Sequence, residues 1–158
     1  MTQVPVYVAT IEPSWIDYNG HVRDAYYTLV ASYATDEFMN FVGLDGAYRE
    51  RTHCTLYTLE LHIHYLREVK QSDELSVRTA VLDYDRKRIH LACRMECPRL
   101  GEEAAAIADF MTLHVQQGEQ VRAAQLPEAV LERLAALKQA AQSDSFQPGS
   151  RSIALKRS

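Results

Sequence analysis

The chain has 158 residues, 47% hydrophobic and 24% charged, which suits a single globular domain large enough to bury a real core. Its formal net charge of -4 supplies no overall basic field, so a nucleic-acid partner is not expected. No apolar run approaches the roughly 20 residues of a membrane-spanning helix. MTQVPVYVATIEPSW also lacks a basic segment followed by an apolar one, so a cytoplasmic protein with no membrane partner is expected.

In chain order, residues 4–11 are β-branched and alternating, and predict a short strand despite Pro5. The turn-forming set Asp17-Tyr18-Asn19-Gly20-His21 follows. From Asp24 onward Tyr26, Leu29, Val30, Tyr33, Phe38 and Phe41 recur at helical spacing. They predict a helix of about five turns, ended by Gly43. Residues 55–67 alternate, with Tyr57, Leu59, Leu61, Ile63 and Tyr65 on one face. Thr58, Glu60, His62 and His64 occupy the other.

Three further strands are predicted over residues 75–82, 88–97 and 104–116, joined by the polar turns DYDRK and PRLGE. After LPEAV, the residues Val130, Leu131, Leu134, Leu137 and Ala141 predict an inward-facing helix stripe. The polar remainder from SDSFQPGS onward reads as a flexible tail. The expected fold is α+β: a five-stranded antiparallel sheet wrapped around one long central helix, plus a C-terminal helix. One short strand precedes the long helix, and four strands follow it as a meander. Residues 1–142 form the domain and 143–158 the tail.

The residues able to carry chemistry have competing readings. Asp17 fits a plain Asx turn and helix cap. It equally fits a catalytic carboxylate held beside helix amides that receive developing negative charge. Asn19 and Gly20 read as conformational. Glu60, His62 and His64 at spacing two share one sheet face. That face suits a polar surface, a subunit interface, or a metal site completed by His90 or His114. Cys54, Cys93 and Cys97 form no disulfide framework and read as small buried hydrophobes in a reducing compartment. Asp85-Arg86-Lys87-Arg88 reads as a solvated hairpin. Nine tyrosines beside one tryptophan and four phenylalanines are a mild excess, most of it assignable to the core.

The element order together with Asp17-Tyr18-Asn19-Gly20, His21-Val22 and the helix after them resembles the hotdog fold. Specifically, residues 4–117 look like the acyl-CoA thioesterases related to 4-hydroxybenzoyl-CoA thioesterase. DYNGHVRDAYY, YTLELHIHYLREV and VLDYDRKRIHL are most similar to the betainyl-CoA thioesterases of carnitine breakdown, including domains attached to some L-carnitine dehydrogenases.

The resemblance implies thioester hydrolysis without metal or organic cofactor. Asp17 would activate water or attack directly, and the main-chain N–H of Asp24 would meet the thioester oxygen. His21 would orient Asp17 or bond the substrate, with Tyr18, Asn19 and Gly20 around it. Glu60 would form an acidic wall of the acyl pocket with His62 beside it, and Tyr18, Tyr27, Tyr57 or Tyr65 would face a trimethylammonium group. Arg67, Lys70, Arg86, Lys87 and Arg88 are the candidates for the CoA phosphates.

A homodimer joined at sheet edges, or a homotetramer, is expected, because one helix cannot cover both faces of the sheet. Two alternatives stand beside this one. Hotdog enoyl-CoA hydratases carry a D-x-N-P-x-H step, from which this chain departs by lacking the proline and displacing the histidine. The other is a metal-binding or ligand-binding β protein built on Glu60, His62 and His64.

Overall fold

A computed structural model describes residues 3–143; the expected tail lies outside the described residues apart from its first position. The long helix α1 spans Asp24–Val42 and buries Tyr27, Val30, Ala31, Ala34, Phe38 and Met39. The buried stripe is displaced from the expected one. Tyr33 is 43% exposed, while Ala31 and Ala34 face inward and let the helix sit close to the sheet. Gly43 takes a left-handed conformation, φ 93°, and its N–H closes the helix on the carbonyl of Asn40.

Strands β1 (Tyr7–Ala9), β2 (Cys54–Tyr65), β3 (Leu75–Tyr84), β4 (Arg88–Glu96), β5 (Ala104–Gln116) and β6 (Arg122–Ala123) form one antiparallel sheet. Its order is β1-β3-β4-β5-β2, with β6 beside the end of β5. α1 packs against β1, β3, β4 and β5 together, so the sheet curls round a single helix. Ile89, Leu91, Met95, Val77 and Phe38 fill the space between them with no exposed surface. Each such side chain contributes roughly 1.5–3 kcal/mol by leaving water.

The expected meander is corrected in one respect. β3, β4 and β5 follow one another as hairpins, but β2 pairs with β5 and forms the far edge. β2 and β5 are matched in length, 12 and 13 residues, so their pairing satisfies more backbone than a β2–β3 hairpin would. The chain therefore crosses the sheet between β2 and β3, and residues 66–74 make that crossing.

A second short helix, α2 (Gly46–Thr52), was absent from the expected elements. Asp45 caps it by accepting the Tyr48 N–H at 2.8 Å. The C-terminal helix α3 (Glu128–Ser143) packs on β3 through Val130, Leu134 and Leu137, as its stripe predicts.

The largest correction lies within β2. Its register against β5 shifts between Thr58 and Glu60, so Leu59 is an extra residue in a β-bulge. A one-residue insertion exchanges the two faces beyond it. Leu56 and Thr58 therefore share the helix-facing side with Leu61, Ile63 and Tyr65. Tyr57 instead joins Glu60, His62 and His64 on the outer side.

On that outer side His62 lies opposite Asp109, and His90 of β4 brings Nε2 to 3.5 Å from Asp109 Oδ1. Among the described residues no three His, Cys, Asp or Glu side chains are placed to hold a metal ion. Asp109 is 4% exposed, and Oδ1 has no hydrogen-bond partner among the described residues. Burial holds its carboxyl above the ordinary carboxylate value, against the opposing pull of His90, His64 and His62.

Two stability measurements follow from this packing. Gly43→Ala places a Cβ at φ 93°, 2.9 Å from a guanidinium nitrogen of Arg133. It is expected to cost about 1–2 kcal/mol, a fall of several degrees in Tm by thermal unfolding. For Asp109 the raised native pKa means the folded state holds its proton to higher pH than the unfolded chain. Its contribution to stability is present at acid pH and is lost as pH rises through the native value. Asp109→Asn is therefore expected to melt above the native protein at pH 8, with the gap closing toward pH 4.

Candidate active site

The Asp-Asn-Gly turn is a miniature hairpin. Ile16 and Val22 pair as an isolated antiparallel bridge around it. The Asp17 N–H donates to the His21 carbonyl at 2.9 Å, and the Gly20 N–H to the Asp17 carbonyl at 3.0 Å. Gly20 sits at φ 78°, where a side chain would be strained. Asp17 Oδ1 accepts the N–H of Asn19 at 2.8 Å and of His21 at 3.4 Å. The Asx turn thus consumes one carboxylate oxygen and leaves Oδ2 without a protein partner among the described residues. The turn-forming and chemical readings of Asp17 are compatible, since the first fixes the orientation that the second needs.

The next residues set the opening of α1. Its N-cap is Arg23, whose side chain makes no capping bond. The Arg23 N–H donates to Trp15 at 2.8 Å, and the Trp15 indole stacks on Tyr26 at 5.0 Å and 10°. These contacts tie the turn to the helix. The Ala25 N–H is taken by the Asp24 carboxylate at 2.9 Å, and the Tyr26 N–H by the Arg23 carbonyl at 3.0 Å. The Asp24 N–H has no acceptor among the described residues. It is a free donor at the positive end of a 19-residue helix.

Asp17 and Asp24 open onto one cleft of about 660 Å³. Tyr18, His21 and Arg67 line it as well, and so do Tyr27 and Tyr65. The two rings meet edge to face at 5.3 Å, and the Tyr65 hydroxyl donates to the Asp24 carbonyl at 3.2 Å. The crossing segment closes the far wall. The Val69 carbonyl accepts the Val22 N–H at 2.8 Å, and the Val69 N–H reaches the Tyr27 hydroxyl at 3.1 Å. Burial pushes the Tyr27 phenol up, so it remains neutral.

Several expected residues do not line the cleft. Asn19 and Gly20 shape the turn behind Asp17. Glu60 and His62 stand on the outer sheet face, on the side that the bulge assigns to them. The acidic wall expected from Glu60 is therefore not part of the cleft that this chain forms. Lys70 lies past it, with its N–H on the Asp73 carboxylate at 2.9 Å. Arg86, Lys87 and Arg88 surround the β3–β4 hairpin at the opposite end of the sheet. There Arg88 holds the Asp85 carboxyl down to about 2.

Five cleft residues escaped the sequence reading: Arg23, Leu66, Glu68, Arg99 and Leu100. Arg99 forms a bidentate pair with Asp73, both contacts 2.8 Å, and donates to the Glu68 carbonyl at 2.8 Å. That pairing holds the Asp73 carboxyl below its usual range. Arg67 is engaged in the same way by Glu103, at 2.7 and 3.1 Å. The charge-rich string from Arg67 to Glu74 marks a polar segment after a strand, but nothing local to it signals the meeting with Arg99.

A free carboxylate oxygen that shares a cleft with an unpaired helix-opening amide is an arrangement suited to acyl transfer. The description "thioesterase-like superfamily" belongs to the family that matches residues 11–134. A betainyl-CoA thioesterase of Pseudomonas aeruginosa is 43% identical over 141 residues, 89% of this chain and 87% of that protein. An L-carnitine dehydrogenase/betainyl-CoA thioesterase of Agrobacterium fabrum is 35% identical over 153 residues. The match covers 94% of this chain but 30% of that longer protein. A Staphylococcus aureus protein solved in complex with CoA superposes with a TM-score of 0.86 at 28% identity. That superposition covers 96% of this chain and 94% of the other. With its hotdog sheet and helix and a match over most of its length, the chain belongs to the thioesterase-like superfamily and is a thioester hydrolase.

Proposed function

We propose that this acyl-CoA thioesterase hydrolyses betainyl-CoA to betaine and CoA, with Asp17 as the catalytic carboxylate. The observation that carries the reading is the free Asp17 Oδ2 in the same cleft as the unpartnered Asp24 N–H. The thioester oxygen points at that amide, and the helix dipole stabilises the charge that develops there. Two routes use the same carboxylate. In one, Asp17 takes a proton from the attacking water. In the other it attacks the carbonyl carbon, and water cleaves the resulting mixed anhydride. In both the C–S bond breaks and CoA leaves as its thiol once protonated. The acyl group follows from the relatives in Pseudomonas aeruginosa and Agrobacterium fabrum, whose names carry betainyl-CoA thioesterase. The name of the second, L-carnitine dehydrogenase/betainyl-CoA thioesterase, supports a role in carnitine breakdown.

The site is completed by a second copy of the chain. β2 is a 12-residue edge strand, with Tyr57, Leu59 and Tyr65 exposed along it. An open, apolar edge of that length is a template for pairing. A two-fold axis through β2 joins two sheets antiparallel. The axis also reverses strand direction, so the partner's β3–β4 hairpin arrives at the cleft end of the joined sheet. Strand spacing puts it roughly 15 Å to the side. Arg86 and Lys87 of the hairpin then serve the CoA phosphates of the neighbouring cleft, with Lys70 nearer the cleft itself.

Asp17→Asn is the direct test. Asparagine keeps an Oδ1 that accepts the Asn19 and His21 N–H groups, so Tm is expected to stay within about 2 °C. Thiol release from betainyl-CoA is expected to fall by about 10³-fold. An unchanged rate would remove Asp17 from the chemistry. Sedimentation across the micromolar range is expected to give twice the chain mass, or four times if dimers pair further. A monomer throughout would overturn the edge-paired assembly.

A further inference from the structure

We infer that Glu68, which lines the same cleft as Tyr65, is the specificity-determining residue that receives the cationic head of the acyl group. The assignment deepens the betainyl-CoA reading and rests on it.

The first argument is charge. The two guanidinium groups on the crossing side of the cleft are already neutralised, Arg67 by Glu103 and Arg99 by Asp73. Glu68 lies between them in the wall and has no such partner. Its one ion-pair contact among the described residues is His21 Nε2, at 3.6 Å; Arg99 lies within electrostatic reach, and the Glu68 side chain is 56% exposed. The cleft thus presents the carboxylates of Asp17, Asp24 and Glu68 against the single guanidinium of Arg23, for which no ion pair is found among the described residues, so negative charge remains in excess. An anionic acyl chain is disfavoured there and a cationic one is attracted.

The second argument is position. In a betainyl group the nitrogen lies about 2.5 Å from the thioester carbonyl carbon, the span of two single bonds. The cation must therefore sit beside the oxyanion donor. Tyr65 holds that place, because its hydroxyl is bonded to the carbonyl of Asp24, the residue whose N–H meets the thioester oxygen. Half of Tyr65 remains exposed, and its packing on Tyr27 fixes the ring. An aromatic face with a carboxylate beside it is the recognised environment for a quaternary ammonium, which cannot donate hydrogen bonds.

The third argument is rigidity. The Glu68 carbonyl is held by Arg99 at 2.8 Å, and the next residue, Val69, is bonded at both its N–H and its carbonyl. The carboxylate is thus carried on fixed backbone, with the energetic benefit of preorganisation.

The test compares betainyl-CoA with its neutral carbon isostere, 3,3-dimethylbutyryl-CoA, which has the same shape and no charge. The readout is the ratio of their kcat/KM values. Native protein is expected to favour betainyl-CoA at least about tenfold. Glu68→Gln is expected to reduce that ratio by about 10- to 100-fold, mainly through KM for the cation. Glu68→Asp, which keeps the charge, should retain part of the preference. Tyr65→Leu should lower it by about fivefold. Native protein without any preference would sink the substrate reading itself. A native preference that Glu68→Gln leaves intact would sink only the role of Glu68 and return the recognition to other groups.

Discussion

The site depends on one backbone residue, Val69. It is fully buried, and the crossing from β2 to β3 puts it against both the Asp17 turn and the first turn of α1. Its carbonyl holds Val22, which closes the Asp17 turn, and its N–H holds the Tyr27 hydroxyl on the first turn of α1. A buried amide and carbonyl left without these partners would each cost about 1–3 kcal/mol. The sheet crossing, the acid-bearing turn and the helix opening are therefore locked to one another by the ordinary requirement that buried peptide groups be paired. Exchange of β2 to the far edge of the sheet creates this crossing, so the topology and the site share a cause.

The same economy appears in the groups that do not react. The cysteines are free and buried, and burial pushes the Cys93 thiol up to about 11. A thiol of that kind is not a nucleophile near neutral pH. His114 is bonded to the Tyr48 hydroxyl at 2.9 Å and to the Ala124 carbonyl at 3.0 Å, remote from the cleft. Asp17 differs from these groups because one of its oxygens is fixed by the turn and the other is free. A carboxylate fixed through one oxygen need not reorganise when the substrate arrives, which is where preorganised sites gain their advantage.

Much of this was legible in the residues. The turn before α1, the glycine that ends it, the three hairpin strands and the C-terminal stripe all follow from local chemistry that tertiary packing did not override. The faces of β2 were misread because one inserted residue, Leu59, reverses a strict alternation, and a bulge has no signature in an alternating apolar run. The helix stripe was displaced because bulky Tyr26, Leu29 and Tyr33 outweighed Ala31 and Ala34 in the pattern, whereas close packing favours the small residues. The short α2 is polar and only 7 residues long, too short for periodicity to register. Arg99 and Glu68 were invisible for a different reason. Their meeting depends on the crossing, a long-range event that no local pattern encodes.

The charge layout also resolves an apparent conflict. CoA carries several negative charges, yet the cleft is lined by unpaired carboxylates. On the proposed reading the substrate is itself divided, with a cation at the acyl end and phosphates at the far end of the pantetheine arm. Screening at physiological salt extends only about 8 Å, and the partner's hairpin lies roughly twice that distance away. The two ends are therefore recognised independently, by carboxylates at Asp17, Asp24 and Glu68 and by cations at Arg86 and Lys87. Pairing Arg67 and Arg99 with Glu103 and Asp73 leaves Arg23 as the one guanidinium of the cleft without an ion pair among the described residues, outnumbered by three carboxylates. The proposed edge-paired dimer would supply positive charge where the nucleotide needs it, so selectivity for the acyl group and affinity for CoA would not compete for the same residues.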